Sequence, residues 1–204
     1  MAKEVAVLGG TGGVGTHFIP IALERGHKLT VLARTPEKIK IKHENLTVVQ
    51  GDATNAEDVP KIIQPSTDVL ICSAGNGANN VMMEEMGKNI LAANPKRAVV
   101  ITSLGMNGSS RTIRCILSMI AGKEPVNDCD ACDQLLCGKP NITVVRPDGL
   151  CEQEPGNGAY NITLKGGMGM GNLPKADVAL CLADLIEDDQ FDGKGVQLYK
   201  AKKK

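Results

Sequence analysis

The chain has no tryptophan, and its aromatic residues are two phenylalanines and two tyrosines in 204 residues. Aliphatic side chains must therefore build most of the core. Histidine is almost as scarce, and His17, His27 and His43 all lie in the first quarter of the sequence. Cys129-Asp-Ala-Cys132 has the spacing of half a zinc site, but no second pair or nearby histidine completes four ligands, so no metal is expected. Net charge is absent as well: 23 basic residues balance 23 acidic ones, which removes the electrostatic case for nucleic acid or an anionic membrane as partner. No apolar stretch reaches the roughly 18 residues that would span a bilayer. The first apolar run begins at once, leaving no room for a signal peptide, and a cytoplasmic location is expected. The seven cysteines are odd in number and lie mostly in apolar segments, as at Cys72, Cys115 and Cys181. Free thiols packed as small hydrophobes fit this better than a disulfide framework. Lys202-Lys203-Lys204 reads as a solvated tail.

What remains is ordinary for a globular protein, with 42% apolar and 23% charged residues. The length suits one domain, residues 1–204. Short apolar runs alternate with helical patterns. Strands are expected at 5–8, 29–33, 47–50, 68–72, 98–102, 141–146, 160–164 and 196–199. Helices are expected at 13–25, 55–63 (with Asn55 as N-cap), 80–93 and 177–186, with one or two more within 109–138. This order predicts an α/β fold, a single Rossmann-like, doubly wound parallel sheet with helices on both faces. Ligands of such sheets lie beyond the carboxyl ends of the strands, near the point where strand order reverses. The segments there are Gly9–Gly15, Arg34, Asp52-Ala53, Ser73–Asn76, Ser103–Gly105 and Arg146–Leu150, which should line one crevice.

The first of these segments is the most specific. Val5 to Leu8 is followed by Gly9-Gly10-Thr11-Gly12-Gly13-Val14-Gly15 and then by a helix closed at Gly26. Strand, glycine turn and helix together make a dinucleotide site, because the turn brings backbone N–H groups and a helix N-terminus up to a pyrophosphate. An NAD site would place a ribose-binding carboxylate after the second strand. Arg34 stands there instead, which suits the 2′-phosphate of NADP. The expected cofactor is therefore NADP(H).

The glycine pattern, Arg34 and Gly51-Asp52 resemble the atypical short-chain dehydrogenase/reductases. Within them, Gly158-Ala159-Tyr160, Lys175-Ala-Asp177 and Asp189-Gln-Phe-Asp192-Gly193 are similar to the family of NADPH-dependent flavin reductases, also called biliverdin-IXβ reductases. The resemblance runs over nearly the whole chain. It implies that Gly9, Thr11, Gly12 and Val14 border the pyrophosphate and that Arg34 and Lys38 hold the 2′-phosphate. It places Asp52 and Ala53 at the adenine and Ala74 and Gly75 under the middle of the cofactor. Ser103 would lie beside the nicotinamide, and Pro147, Asp148, Gly149 and Leu150 would flank nicotinamide and substrate. Such enzymes are similar to monomers that act on small molecules.

Two departures bear on the chemistry. Residues 125–138 lack the Tyr-x-x-x-Lys pair with which classical short-chain enzymes move a proton. No histidine follows His43, and in the local match Cys129 and Gly149 stand where the flavin reductases carry histidines near the substrate. A ketone needs a proton at its oxygen in the transition state. A flavin or linear tetrapyrrole is a conjugated acceptor that can take its second proton from solvent. The expected activity is hydride delivery to such an acceptor. The alternatives are a quinone or sugar-nucleotide reductase of the same superfamily, and a non-catalytic NADP(H) sensor of the NmrA-like kind. Ser103 is the candidate catalytic hydroxyl. Gly166-Gly-Met-Gly-Met-Gly171 lacks the lysine of a phosphate loop. It reads as a flap near the substrate, where Met168 and Met170 can adapt to flat ligands, or as a plain surface loop.

Overall fold

The computed structural model describes residues 1–75, 81–107, 111–152, 156, 158–164 and 171–201. All of the expected flap at 166–171 except Gly171, the tail at 202–204 and the segment 76–80 lie outside these residues. Six apolar runs form most of the parallel part of the sheet: β1 (Glu4–Leu8), β2 (Lys28–Ala33), β3 (Leu46–Gln50), β4 (Val69–Cys72), β5 (Ala98–Ile101) and β6 (Ile142–Pro147). Two short strands, β7 (Leu150–Cys151) and β9 (Leu173–Pro174), pair with each other in parallel, apart from the main sheet. β8 (Tyr160–Thr163) and β10 (Gly195–Lys200) complete the main sheet, whose order is β3-β2-β1-β4-β5-β6-β10-β8. β10 joins β6 in parallel, and among the described residues only the β10–β8 pairing is antiparallel. Strand order reverses between β1 and β4, so the loops leaving these neighbours part to opposite faces and open a crevice.

Alternating side chains divide the core into two layers. Val5 and Val7 face α1 (Gly15–Glu24) and α5 (Lys175–Asp184), where Phe18, Ile19, Ala179 and Leu182 are buried. Ala6 and Leu8 face α2 (Met83–Ala93) and α4 (Lys123–Leu136), where Met86, Ile90, Cys132 and Leu136 are buried. α3 (Arg111–Ala121) packs on α4. Phe18 is fully buried, and a side chain of that size contributes about 1.5–3 kcal/mol by leaving water. The rest of the two layers is almost wholly aliphatic and sulfur-containing, and all seven cysteines are free thiols.

The α/β order follows the sequence, and local differences have local causes. Residues 55–63 form only a 3-10 turn at Val59–Ile62. Pro60 would sit inside the expected α-helix, where it has no N–H to donate and its ring meets the carbonyl four residues back. Residues 109–138 give two helices, parted at Gly122, whose φ of 90° breaks the spiral. α1 begins two residues later than expected because Gly13 and Val14 belong to the turn. α2 starts at Met83, where the Asp128 carboxylate from α4 accepts the amide N–H groups of Met82, Met83 and Glu84 at 2.9, 2.8 and 3.0 Å. An acidic group from one helix thus neutralises the positive end of another.

Candidate cofactor and substrate site

The glycines of the first loop serve different steric ends. Gly9 has φ of 83°, and a Cβ there would stand 2.3 Å from the Ala74 amide nitrogen, so the turn and the end of β4 close on each other. A Cβ on Gly15 would lie 2.2 Å from the Gly9 carbonyl oxygen, which is how α1 comes so near the turn. One on Gly10 would meet Val31 Cγ1 at 2.6 Å. The Gly12 amide donates to the Gly9 carbonyl at 3.0 Å and fixes the turn. The first turn of α1 holds no acidic residue and no side-chain cap, which leaves its positive end to an anion. A glycine-rich cradle at an uncapped helix N-terminus fits a dinucleotide pyrophosphate.

The loops after β2 and β3 lie at the same edge of the sheet. Arg34 and Lys38 are exposed there, Lys38 closing a 3-10 turn at Pro36–Lys38. Asp52 Oδ1 accepts the Thr54 amide and hydroxyl, each at 2.9 Å, and the Asp52 amide donates to Asp58 Oδ2 at 2.8 Å. A hydrogen bond from Lys61 holds the Asp58 carboxyl below its ordinary range. The Ala53 carbonyl accepts Asn89 Nδ2 at 3.0 Å, tying this loop to α2. The loop expected at the adenine is held by its own polar groups and by Asn89 of α2.

At the other end of the crevice is a cavity of about 450 Å³. Ser103 and Leu150, expected by the nicotinamide, line it together with Ala74 and Gly75, expected under the middle of the cofactor, and Val14, expected at the pyrophosphate. Ser73, from an expected crevice segment, and Cys129, matched to a substrate-side position, line it too, and the structure adds Met83, Ile101, Met106 and Val126, together with Leu117 and Ile120 from α3. Cys129 is not an acid at neutral pH, since burial pushes its thiol up to about 12. Ser73 Oγ lies 3.3 Å from the Gly9 carbonyl oxygen, to which it donates.

Pro147, Asp148 and Gly149 do not line this cavity. Asp148 is buried, and its Oδ1 accepts Gln197 Nε2 at 2.9 Å, so its carboxylate joins β6 to β10. Desolvation raises its pKa above the ordinary value. The Gly149 carbonyl accepts the Leu173 amide at 2.8 Å, and the Pro147 carbonyl the Leu104 amide at 3.3 Å.

A second polar group lies behind Ser103. Thr102 Oγ1 donates to Asp133 Oδ2 at 2.7 Å, and Arg146 grips the same carboxylate from Nε and Nη2 at 2.8 and 2.7 Å. Asp133 is completely buried. This network fixes the end of β5 against α4, and through it the Ser103 backbone. No local pattern announces it, because its members come from three elements far apart in sequence. Only the placement of Thr102 and Arg146 at neighbouring strand ends hinted at it.

Fold, loop and crevice define a nucleotide-binding protein of the Rossmann type. The chain belongs to the NAD(P)H-binding family, whose pattern matches residues 9–189. Over 56 residues it is 46% identical to a 3-beta-hydroxysteroid dehydrogenase of Mycolicibacterium neoaurum, a match over 28% of this chain and 15% of that protein's length. In three dimensions it resembles a short-chain dehydrogenase/reductase of Veillonella parvula solved in complex with NADP, with a TM-score of 0.78, 17% identity, and 98% and 95% of the two chains covered. It also resembles ChuY, an anaerobilin reductase of Escherichia coli, with a TM-score of 0.76, 18% identity and 99% of each chain covered. The cofactor of the family is NAD(P)H.

Proposed function

We propose that the protein is an NADPH-dependent reductase that delivers hydride to a flat conjugated acceptor, a flavin such as FMN or riboflavin, or a biliverdin-like tetrapyrrole. The observation that carries this reading is the character of the cavity beside Ser103. Its described lining is mostly aliphatic side chains and methionines, with the hydroxyls of Ser73, Thr102 and Ser103 as its polar groups. No carboxylate, imidazole, ammonium or phenol is among these residues. Such a surface accepts a planar apolar ring and offers no group to protonate an isolated carbonyl oxygen.

The bound nicotinamide supplies the hydride. The residues of this chain bind, orient and exclude water. The amides of the Gly9–Gly15 turn and the N-terminus of α1 hold the pyrophosphate. Arg34, with Lys38, holds the 2′-phosphate, and Asp52 and Ala53 bound the adenine. Ala74 and Gly75 pass beneath the centre of the cofactor. Ser103 would donate or accept a hydrogen bond at the reacting end, just beyond a strand whose end is held by Thr102, Asp133 and Arg146. The apolar lining keeps water from the transfer, and the acceptor takes its proton from solvent. Likeness in fold to an anaerobilin reductase, and the dehydrogenase relative matched over a short stretch, support the reaction class.

The test is direct. Protein mixed with NADPH and FMN, riboflavin or biliverdin should oxidise the nicotinamide, while simple ketones should not react. Turnover of ketones alone would overturn the acceptor class. Tight NADP binding with no turnover of any acceptor would point to a sensor instead.

A further inference from the structure

Lys175 stands over the glycine loop. A Cβ placed on Gly13 would lie 2.6 Å from Lys175 Nζ and 2.8 Å from its Cδ. The bare backbone of Gly13 is thus what gives this side chain its room. The Lys175 ammonium is paired with the Glu152 carboxylate. Lys175 is 22% exposed at its side chain and Glu152 75%, so the lysine is lodged against the loop and the glutamate reaches in from solvent.

The β7–β9 pair explains why the two meet. Its register sets Leu150 beside Leu173 and Cys151 beside Pro174. The next residues of the two strands are Glu152 and Lys175, which therefore leave the ladder side by side. Lys175 is also the first residue of α5, the helix that packs against α1. Its backbone is fixed on the same layer that carries the helix of the glycine loop.

We propose that Lys175 is a second cation for the cofactor, binding the diphosphate from the Gly13 side of the loop, and that Glu152 competes with the diphosphate for that ammonium. The proposal rests on the NAD(P)H site described above. An ion pair with one partner three-quarters exposed holds weakly and is readily exchanged. A diphosphate brings more negative charge to a pocket already lined by amide N–H groups and a helix N-terminus, so it is the stronger partner for the ammonium. Lys175 and Arg34 then have separate tasks. Arg34 reads the 2′-phosphate that only NADP(H) carries, and Lys175 reads the diphosphate common to NADP(H) and NAD(H).

The experiment is calorimetric titration of the folded protein with NADPH and with NADH, on the wild type and three variants, each checked by circular dichroism and thermal melting. Lys175→Gln should weaken both cofactors by the same factor, about tenfold for one lost charge-assisted contact. Lys175→Arg should restore most of the affinity. Glu152→Gln should tighten both cofactors severalfold, because the internal competitor is gone. Unchanged affinity in Lys175→Gln overturns the proposal, as does a loss confined to NADPH. Equal weakening by Lys175→Gln and Glu152→Gln would show a purely structural ion pair and also overturns it. Failure of the wild type to bind either cofactor would remove the NAD(P)H site itself, a result distinct from all of these.

Discussion

Gly9 and Ala74 meet across the mouth of the crevice, with the Gly9 α-carbon so close to the next strand end that a Cβ would stand 2.3 Å from the Ala74 amide nitrogen. The atoms it would strike are backbone, which cannot rotate away, and Gly9 holds φ of 83° besides. The first loop and the loop after β4 are therefore packed together as one unit at the carboxyl end of the sheet.

Gly9→Ala should cost at least about 3 kcal/mol, since backbone strain and a backbone clash add. NADPH binding should be lost with it. Gly26 is the internal control. It has φ of 82° with nothing within 4 Å of an added Cβ, so Gly26→Ala should cost only about 1–2 kcal/mol of conformational strain. Chemical denaturation of both variants measures the difference, and equal losses would show that the Ala74 contact contributes nothing.

Arg34→Glu should weaken NADPH by about tenfold to a hundredfold, through loss of a charge-assisted contact and gain of repulsion. NADH should be spared or favoured. Steady-state KM values for the two cofactors decide this, and an unchanged preference refutes the role given to Arg34.

Asp133→Ala removes the buried partner of Arg146 and Thr102 at once. Leaving a guanidinium without its carboxylate in the interior should cost about 3–5 kcal/mol, read as a drop in denaturation midpoint. A loss under 1 kcal/mol, judged against the ordinary range for surface changes of about 0.5 kcal/mol, would mean that water replaces the carboxylate.

Stability should decline on mild acidification because of His27. It is fully buried, its Nδ1 accepts the Lys3 amide at 3.1 Å, and desolvation lowers its pKa from the ordinary 6.5. With the folded value below the unfolded one, the unfolded chain binds the proton first. The contribution is complete above 6.5 and is lost as pH falls from there towards the folded value. Asp58, lowered from 3.8, acts in a more acidic window. Melting curves of wild type and His27→Gln across these ranges should differ in slope just below 6.5; identical slopes would exclude His27 as the source.

Ser103→Ala should leave NADPH affinity nearly intact and lower turnover of the conjugated acceptor about tenfold, the usual effect of removing one hydrogen bond at a reacting end. Single-turnover kinetics separate the two effects.

The alternation of strand and helix, the glycine turn and the cofactor were legible in the sequence because they rest on neighbours in the chain. Val5 to Leu8 is apolar throughout because both faces of β1 are covered, and Gly9 to Gly15 follow it without interruption. The short pair β7–β9 was not legible: two residues per strand carry no periodicity. Pro60 was a signal at hand, and it explains the single 3-10 turn where a longer helix was expected. Asp148, adjacent to the strand end, has a position in sequence that suggests a site, yet its carboxylate is spent on Gln197.

The sequence alone determined a parallel sheet with a glycine turn after its first strand and an NAD(P)H-binding family, since patterning and turn chemistry are local properties. Only the tertiary structure decided which side chains meet there. Lys175 over Gly13, Asp133 between Thr102 and Arg146, and the apolar walls contributed by α3 and α4 all join residues distant in the chain. Such meetings depend on strand register and helix packing, which no local run of residues encodes.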